Sequence, residues 1–381
     1  MKRHALLALS LAGLWALGHA ATAQVSLPPE APPALRQFDT DYTKHRIDLA
    51  TLRSGGPPKD GIPSIDDPTF VSVAAASDWV GPKEPVIAVQ HGGVARAYPL
   101  QLLTYHEIVN DRIAGTPVAV TFCPLCYSAL VFERTLDGEP VEFGVSGLLR
   151  NSDLVMYDRK TETLWQQFTG RAIVGDRTGQ ALRRLPSQIV SFRQFGEAHP
   201  DGAVLSRDTG HDRPYGRNPY AGYDDIDKTP FAVRGPVDGR LPPMAKVVAV
   251  SVGGAHKAYP HSTTAQERVI HDTMGDRPLV VFHAPGAVSA LDAAEISESK
   301  EVGSTGVFDR RVEGRILQFS YVGAGRFRDE ETESTWTVTG KALSGPLEGT
   351  QLHRIQSGDS FAFAWFAFRP QTALYETDAG S

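Results

Sequence analysis

This chain writes the same pattern twice. VIAVQHGGVARAYP (86–99) matches VVAVSVGGAHKAYP (247–260), DRKTETLW (158–165) matches DEETESTW (329–336), and GRAIVG (170–175) matches GKALSG (340–345). FRQFGEAHP (192–200) is echoed more faintly by FAWFAFRP (363–370). The order and spacing hold over more than a hundred residues, a period too long for a solenoid, so the chain reads as two related halves. The boundaries expected from the pattern are a leader and turn block over 24–69, a first repeat over 70–205, a connector over 206–239 and a second repeat over 240–376.

Each repeat reads as strand-rich. Val86–Val89 and Ala95–Tyr98 flank Gly92-Gly93, a two-residue hairpin signal. β-type runs follow at Val118–Phe122, Ala129–Arg134, Val141–Val145 and Leu154–Tyr157. One helix stands out at Gln101–Asn110, with apolar residues at 102, 103, 105, 108 and 109. There His106 would share a face with Asn110, and Glu107 with Asp111. The fold class expected is α+β and mainly β, with two pseudo-symmetric halves whose sheets could curl into barrel-like shapes.

The N-terminus has the form of a secretory signal: Lys2 and Arg3, an apolar run from Leu6 to Leu17, and Ala21-Thr22-Ala23 as the cleavage pattern. A cut after Ala23 leaves 36 basic against 44 acidic residues, and export to a periplasm or beyond is expected. The apolar run is too short to span a bilayer, and nothing later is long and apolar enough to do so. Charges are interspersed and no basic run follows the signal, which argues against a nucleic-acid or electrostatic membrane partner. A small molecule or an envelope protein remains as partner.

Both cysteines lie in one motif, Cys123-Pro124-Leu125-Cys126. Closing so short a ring with a disulfide adds only about 2 kcal/mol in the chain-entropy model. The readings left open are a redox dithiol, half of a metal site and a rigid turn. Thioredoxin-like enzymes place CxxC at a helix N-terminus, whose dipole lowers the thiol pKa. Here strand-like residues follow Cys126, and a CPxC turn between strands suits a metal knuckle equally well. Two thiolates are half of a tetrahedral set, to be completed by donors such as His106, His199, His211, Met156 or His283.

The duplication supplies an internal control. Features kept in both halves serve the shared fold: the Gly pairs, Tyr98-Pro99 with Tyr259-Pro260, Asp111 with Asp272, and Trp165 with Trp336. Features confined to one half are candidates for chemistry. Aligning FCPLCYSAL (122–130) with FHAPGAVSAL (282–291) removes both thiols from the second half and puts His283 at the Cys123 position. The specialised site therefore belongs to the first half. Cys123 and Cys126 are the candidate catalytic thiols and His106 the candidate base; in the metal alternative the same three residues are ligands for copper or zinc. Arg150, Asn151 and Asp153, on a polar turn between strands, and His199 and Asp201, in a His-Pro-Asp-Gly turn, are candidate ligand-binding residues or turn formers. The connector RDTGHDRPYGRNPYAGYDD (207–225) supplies tyrosines that could clasp a ligand or pack between the halves. No G-x-S-x-G elbow, Walker loop, dinucleotide fingerprint or HExxH is present, which disfavours serine hydrolases, NTPases and Rossmann dehydrogenases.

Together, SGGPPKDGIPSIDDP (54–68), ARAYP (95–99), HEIVND (106–111), VTFCPLC (120–126), FGVSGLLRNSDLVMYDRKTETLW (143–165) and HPDGAVLS (199–206) resemble the bacterial family catalogued as domain of unknown function 3179. The resemblance runs from about 38 to 375 and brings no assigned activity. Some relatives in that family are described as candidate selenoproteins, which implies redox chemistry or soft-metal ligation at Cys123 and Cys126. The expectation is thus an exported protein with a CxxC-centred site. Thiol-disulfide chemistry is favoured, with soft-metal binding or a non-enzymatic envelope ligand-binding module as alternatives.

Overall fold

The computed structural model describes residues 27, 29 and 31–376. The expected signal peptide and its cut after Ala23 lie outside the described residues. The chain is mostly β, built from several small sheets with few helices, and no sheet closes into a barrel.

The same element series runs twice. In the first half, strands Pro85–His91 and Val94–Pro99 form a hairpin, helix Leu100–His106 follows, and strands Ile108–Ile113, Thr116–Cys123 and Ser128–Glu133 form a meander. In the second half, strands Lys246–Val252 and Ala255–Pro260, helix His261–Glu267, and strands Val269–Met274, Arg277–Ala284 and Ser304–Asp309 repeat that path. Each series then adds a hairpin, Phe143–Arg150 with Asp153–Asp158 and Phe319–Gly323 with Arg326–Asp329, and ends on a strand and a short helix. Gly92-Gly93 and Gly253-Gly254 take positive φ at both turn positions, as a type I′ hairpin turn demands.

The helix is shorter than its periodicity predicts. It ends at His106 because Glu107 adopts φ 58°, ψ −30°. Ile108 and Val109, β-branched, then enter a strand paired with Thr121 and Val120. Asn110 and Asp111 are therefore strand residues and share no helical face with His106 or Glu107. Asp111 anchors the strand: Tyr98 donates to its Oδ2 (2.5 Å) and Arg96 grips both carboxylate oxygens. Tyr259, Lys257 and Asp272 repeat the arrangement.

The D-x-x-T-x-x-x-W pattern shared by the halves is a buried clamp. Asp158 accepts from the Thr161 N–H (2.8 Å), the Thr161 hydroxyl and Trp165 Nε1 (2.9 Å). Asp329 does the same with Thr332 and Trp336. Both carboxylates and both indoles are fully buried. Removing the acceptor strands an indole N–H and a backbone N–H in the core. Asp158→Ala is expected to lower the unfolding free energy in urea by about 3 kcal/mol. A loss under about 1 kcal/mol would show that the clamp carries little of the stability.

Candidate functional site

Cys123 closes the strand Thr116–Cys123, and Pro124–Cys126 form a single 3₁₀ turn. Tyr127 reverses the chain in the left-handed region (φ 53°), and Ser128 pairs back with Cys123. The motif is thus the turn of a hairpin, as expected, and no helix dipole bears on either thiol. Both cysteines are free and buried.

Asp153 is the third member of the group. One carboxylate oxygen and the two sulfurs all lie within 4.8 Å of one another. The long hairpin Phe143–Arg150 with Asp153–Asp158 carries it there, turning through Asn151 (φ 51°) and Ser152 (φ 66°). Ser152 O faces Cys123 Sγ at 3.8 Å. Oδ2 of Asp153 accepts from Gln166 Nε2 (2.5 Å) and the Phe168 N–H (2.9 Å). No N–H or O–H donor reaches the buried Oδ1, and the two thiols are the hydrogen-bonding groups that face it. Gln167 ties the same segment to the CPLC hairpin, donating to Thr121 Oγ1 (2.9 Å) and accepting from Ser128 Oγ (3.0 Å). Burial is the largest influence on every ionisable group here. It lifts Asp153 to about 7, against the pull of its hydrogen bonds, and raises both thiols. Glu107, also buried, is pushed up to about 8 by desolvation and by the charge of Asp153.

A cavity of about 380 Å³ adjoins the group, walled by Glu107, Leu125, Leu154, Tyr220, Tyr223 and Phe231. Leu125 and Leu154 are chain neighbours of the cysteines and of Asp153, so the cluster sits directly behind this wall. The Tyr-rich connector covers it. Tyr223 donates to Leu125 O (3.2 Å), and Tyr220 stands beside Glu107, which lowers the carboxyl slightly. The Gly/Pro-rich block supplies Gly55 and Pro57 to the opposite rim.

The other expected site residues lie apart from this group. His106 has both ring nitrogens engaged: Nδ1 at 2.7 Å from Pro63 O and Nε2 at 2.6 Å from Tyr215 Oη. A carbonyl can only accept, so Nδ1 carries the proton and Tyr215 donates to Nε2. Arg150 turns to Thr51 Oγ1 (3.2 Å) and Gln166 Oε1 (3.3 Å), and Asn151 serves the hairpin turn. His199 ends helix Phe192–Ala198 and lines a separate cleft; Asp201 is exposed in the following turn. None of His106, His199, His211 and His283 belongs to the cysteine group, whose third member is a carboxylate; Met156 is buried on the Asp153–Asp158 strand, paired with Val145 and Trp165.

The second half is corrected in register. Ile108 pairs with Thr121 as Val269 pairs with Phe282, so Cys123 corresponds to Ala284 and His283 to Phe122. Ser304–Asp309, not Ser289-Ala290-Leu291, is the counterpart of Ser128–Glu133. Residues 285–303 thus replace the four-residue CPLC turn. Met156 and Phe327 oppose the equivalent tryptophans, which shows that the second-half hairpin turns earlier and has no position for Asp153. Gln166, Gln167 and Glu107 were not singled out as site residues from the sequence, whereas the connector tyrosines were. The Gln pair was within reach of the internal control, since Thr337-Val338 replace it after Trp336.

A model described as a protein of unknown function (DUF3179) matches residues 59–372. The chain belongs to this DUF3179 family. No curated protein and no solved structure matches it. The family match covers both halves, so the degenerate second repeat is part of the family's pattern.

Burial holds His106 down to about 4. The folded state therefore binds this proton less readily than the unfolded chain. The stability this contributes is complete above the ordinary value of 6.5 and is lost as pH falls through about 4. The advantage of the native chain over His106→Asn in chemical unfolding is expected to shrink by on the order of 3 kcal/mol between pH 7 and pH 4. Parallel pH profiles for the two proteins would refute the assignment.

Proposed function

We propose that this DUF3179 protein binds a borderline-soft divalent metal ion, zinc by preference, through Cys123, Cys126 and Asp153, beside a cavity for a small, largely apolar ligand. The observation that carries this reading is the buried Asp153 carboxylate, whose Oδ1 meets no N–H or O–H donor and faces only the two buried thiols. Such an acceptor is costly unless something satisfies it, and a cation bridging carboxylate and thiolates does so. Zinc accepts sulfur and carboxylate oxygen together, whereas copper(I) prefers sulfur ligands, so the carboxylate favours zinc. The grip of Gln166 and the Phe168 N–H on Oδ2 leaves Oδ1 as the oxygen free to ligate, an outer-shell arrangement typical of metal sites. The cavity wall next to the site suits a ligand with an apolar body, with Glu107 and Lys228 as its polar contacts.

Thiol redox chemistry is the second reading, supported by the proximity of the two free thiols. In that reading the pair passes two electrons to a substrate disulfide. Two thiol protons move to the released thiols, and the Cys123–Cys126 bond forms. Burial and raised thiol pKa values weigh against a ready thiolate nucleophile. Export, if residues 1–23 direct it, would bring the pair to a compartment where disulfides persist, so the metal would also protect the thiols.

Native intact mass of the protein purified without chelator or reductant separates the two. One zinc per chain with both thiols retained is expected, lost in the Cys123→Ser/Cys126→Ser double variant. A metal-free chain lighter by two hydrogens would overturn the metal reading in favour of the redox one. In a competitive chelator titration, Gln166→Ala is expected to weaken zinc binding by roughly 10- to 100-fold while leaving both thiols in place.

A further inference from the structure

The two halves meet along a groove on the side where Arg184 and Arg354 lie. One stretch of it, about 430 Å³, is lined by His91, His199, Gln351, His353 and Arg354. The adjoining stretch, about 330 Å³, shares Pro186, His353 and Arg354 and adds Arg184 and Arg277. No aspartate or glutamate lines either stretch, although the chain as a whole carries a net charge of −6.

Arg184 and Arg354 are equivalent residues of the two repeats. Leu182 N donates to Gly170 O as Leu352 N donates to Gly340 O. Arg184 lies opposite Phe132 and Arg354 opposite Phe308, themselves equivalent strand positions. Each guanidinium crosses to the other half and finds only neutral acceptors. Arg184 donates to Ser357 O; Arg354 donates to Gln188 Oε1 (2.6 Å) and, within its own half, to Thr339 O (3.2 Å). Among the described residues neither forms a salt bridge, and Arg184 Nε is buried without a partner. Burial depresses both, with no carboxylate pulling the other way; the only other influence on either is the charge of Arg369, at the Arg184 end. Gln351 Oε1 is a buried acceptor, also unpartnered, in the same groove.

Both guanidiniums are half-buried, and cations withdrawn from water usually find a counter-charge. Two that share one pseudo-two-fold groove with no counter-charge are a receptor for an anion, and the planar guanidinium fork matches oxyanions. We propose that the groove between the halves binds an oxyanion-bearing small molecule, phosphate or carboxylate, through Arg184 and Arg354, with Gln351 Oε1 accepting from an O–H of the same ligand. The site is independent of the cysteine group. The alternative role for the arginines, stapling the halves together, makes different predictions.

The test is calorimetric titration of the full chain with inorganic phosphate at pH 7, beside sulfate and citrate, with sodium chloride of equal ionic strength as control. Saturable one-to-one binding of at least one oxyanion is expected, and a thermal midpoint that climbs with its concentration. The strongest of the three identifies the oxyanion class. Arg354→Met and Arg184→Met are expected to weaken that binding about tenfold or more, each removing one charged contact. His199→Asn probes the same groove without deleting a half-buried cation and is expected to weaken binding several-fold. No saturable heat and no midpoint shift beyond chloride in the native chain would overturn the proposal whatever the variants do. So would binding unchanged in the folded variants, which would leave the arginines as staples.

Discussion

The two larger cores of this protein are shared between its halves. Phe361, Phe363 and Trp365 of the second repeat are buried in one cluster with Ile87, Leu103, Phe122 and both cysteines of the first. A second cluster joins Val190 and Phe195 to Phe282, Phe308 and Trp336. Gln188 reaches across to the carbonyls of Thr305 and Val338, so backbone acceptors of one repeat are satisfied by the other. Each half also keeps a smaller core of its own, and the shared burial adds to the stability of both. The cysteine group inherits that dependence. Phe168, whose N–H holds Asp153, stacks on Phe368 (4.9 Å) and meets Trp365 edge-on (5.8 Å). Tyr127, which turns the CPLC hairpin, lies against Phe361 (5.6 Å) with Lys246 Nζ over its ring (3.9 Å).

The duplication explains why the site is singular. The two copies share the hairpins, the Asp–Trp clamps and the Tyr–Asp pairs, and differ where the first lengthens one hairpin and the second lengthens one turn. Lengthening the first-half hairpin delivers Asp153 to the cysteines. Lengthening the second-half turn into residues 285–303 makes a brace for the connector. Ala294 O, Asp292 O and Leu291 O accept from Asn218, Gly222 and Tyr223, and Lys300 pairs with the buried Asp224. One copy became the site and the other became its support.

Much of this was legible in the residues. Internal repetition, period-two apolar runs and Gly-Gly turns specify a two-fold β architecture without any long-range information, and the CPLC hairpin follows from the strand-like residues on either side. Sequence periodicity misled at the helix end, because Ile108 and Val109 fit a helical face and a strand equally well until Glu107 decides the path. It misled again at Ser289-Ala290-Leu291, where a short chance match outweighed a register that only backbone pairing reveals. Asp153 was visible as a polar turn residue, but its meeting with Cys123 depends on the length of a hairpin relative to its twin. That a carboxylate and not a histidine is the third member of the group is a distance across sheets, and no spacing along the chain encodes it. Arg184 and Arg354 escaped notice for a related reason: a residue kept in both copies looks merely structural until the copies are seen to place it on a common groove.

The brace made by residues 285–303 also sets an order of events. The cavity wall of Tyr220 and Tyr223 is held by a loop some seventy residues further along the chain, and Phe168 is buried by a helix that ends at Phe368. Contacts of such separation form late, because loop closure must be met before they reward the chain. The CPLC hairpin itself is local and forms early. During folding there is thus an interval in which both thiols are already side by side yet still uncovered. The wall over them is complete only once the second repeat docks.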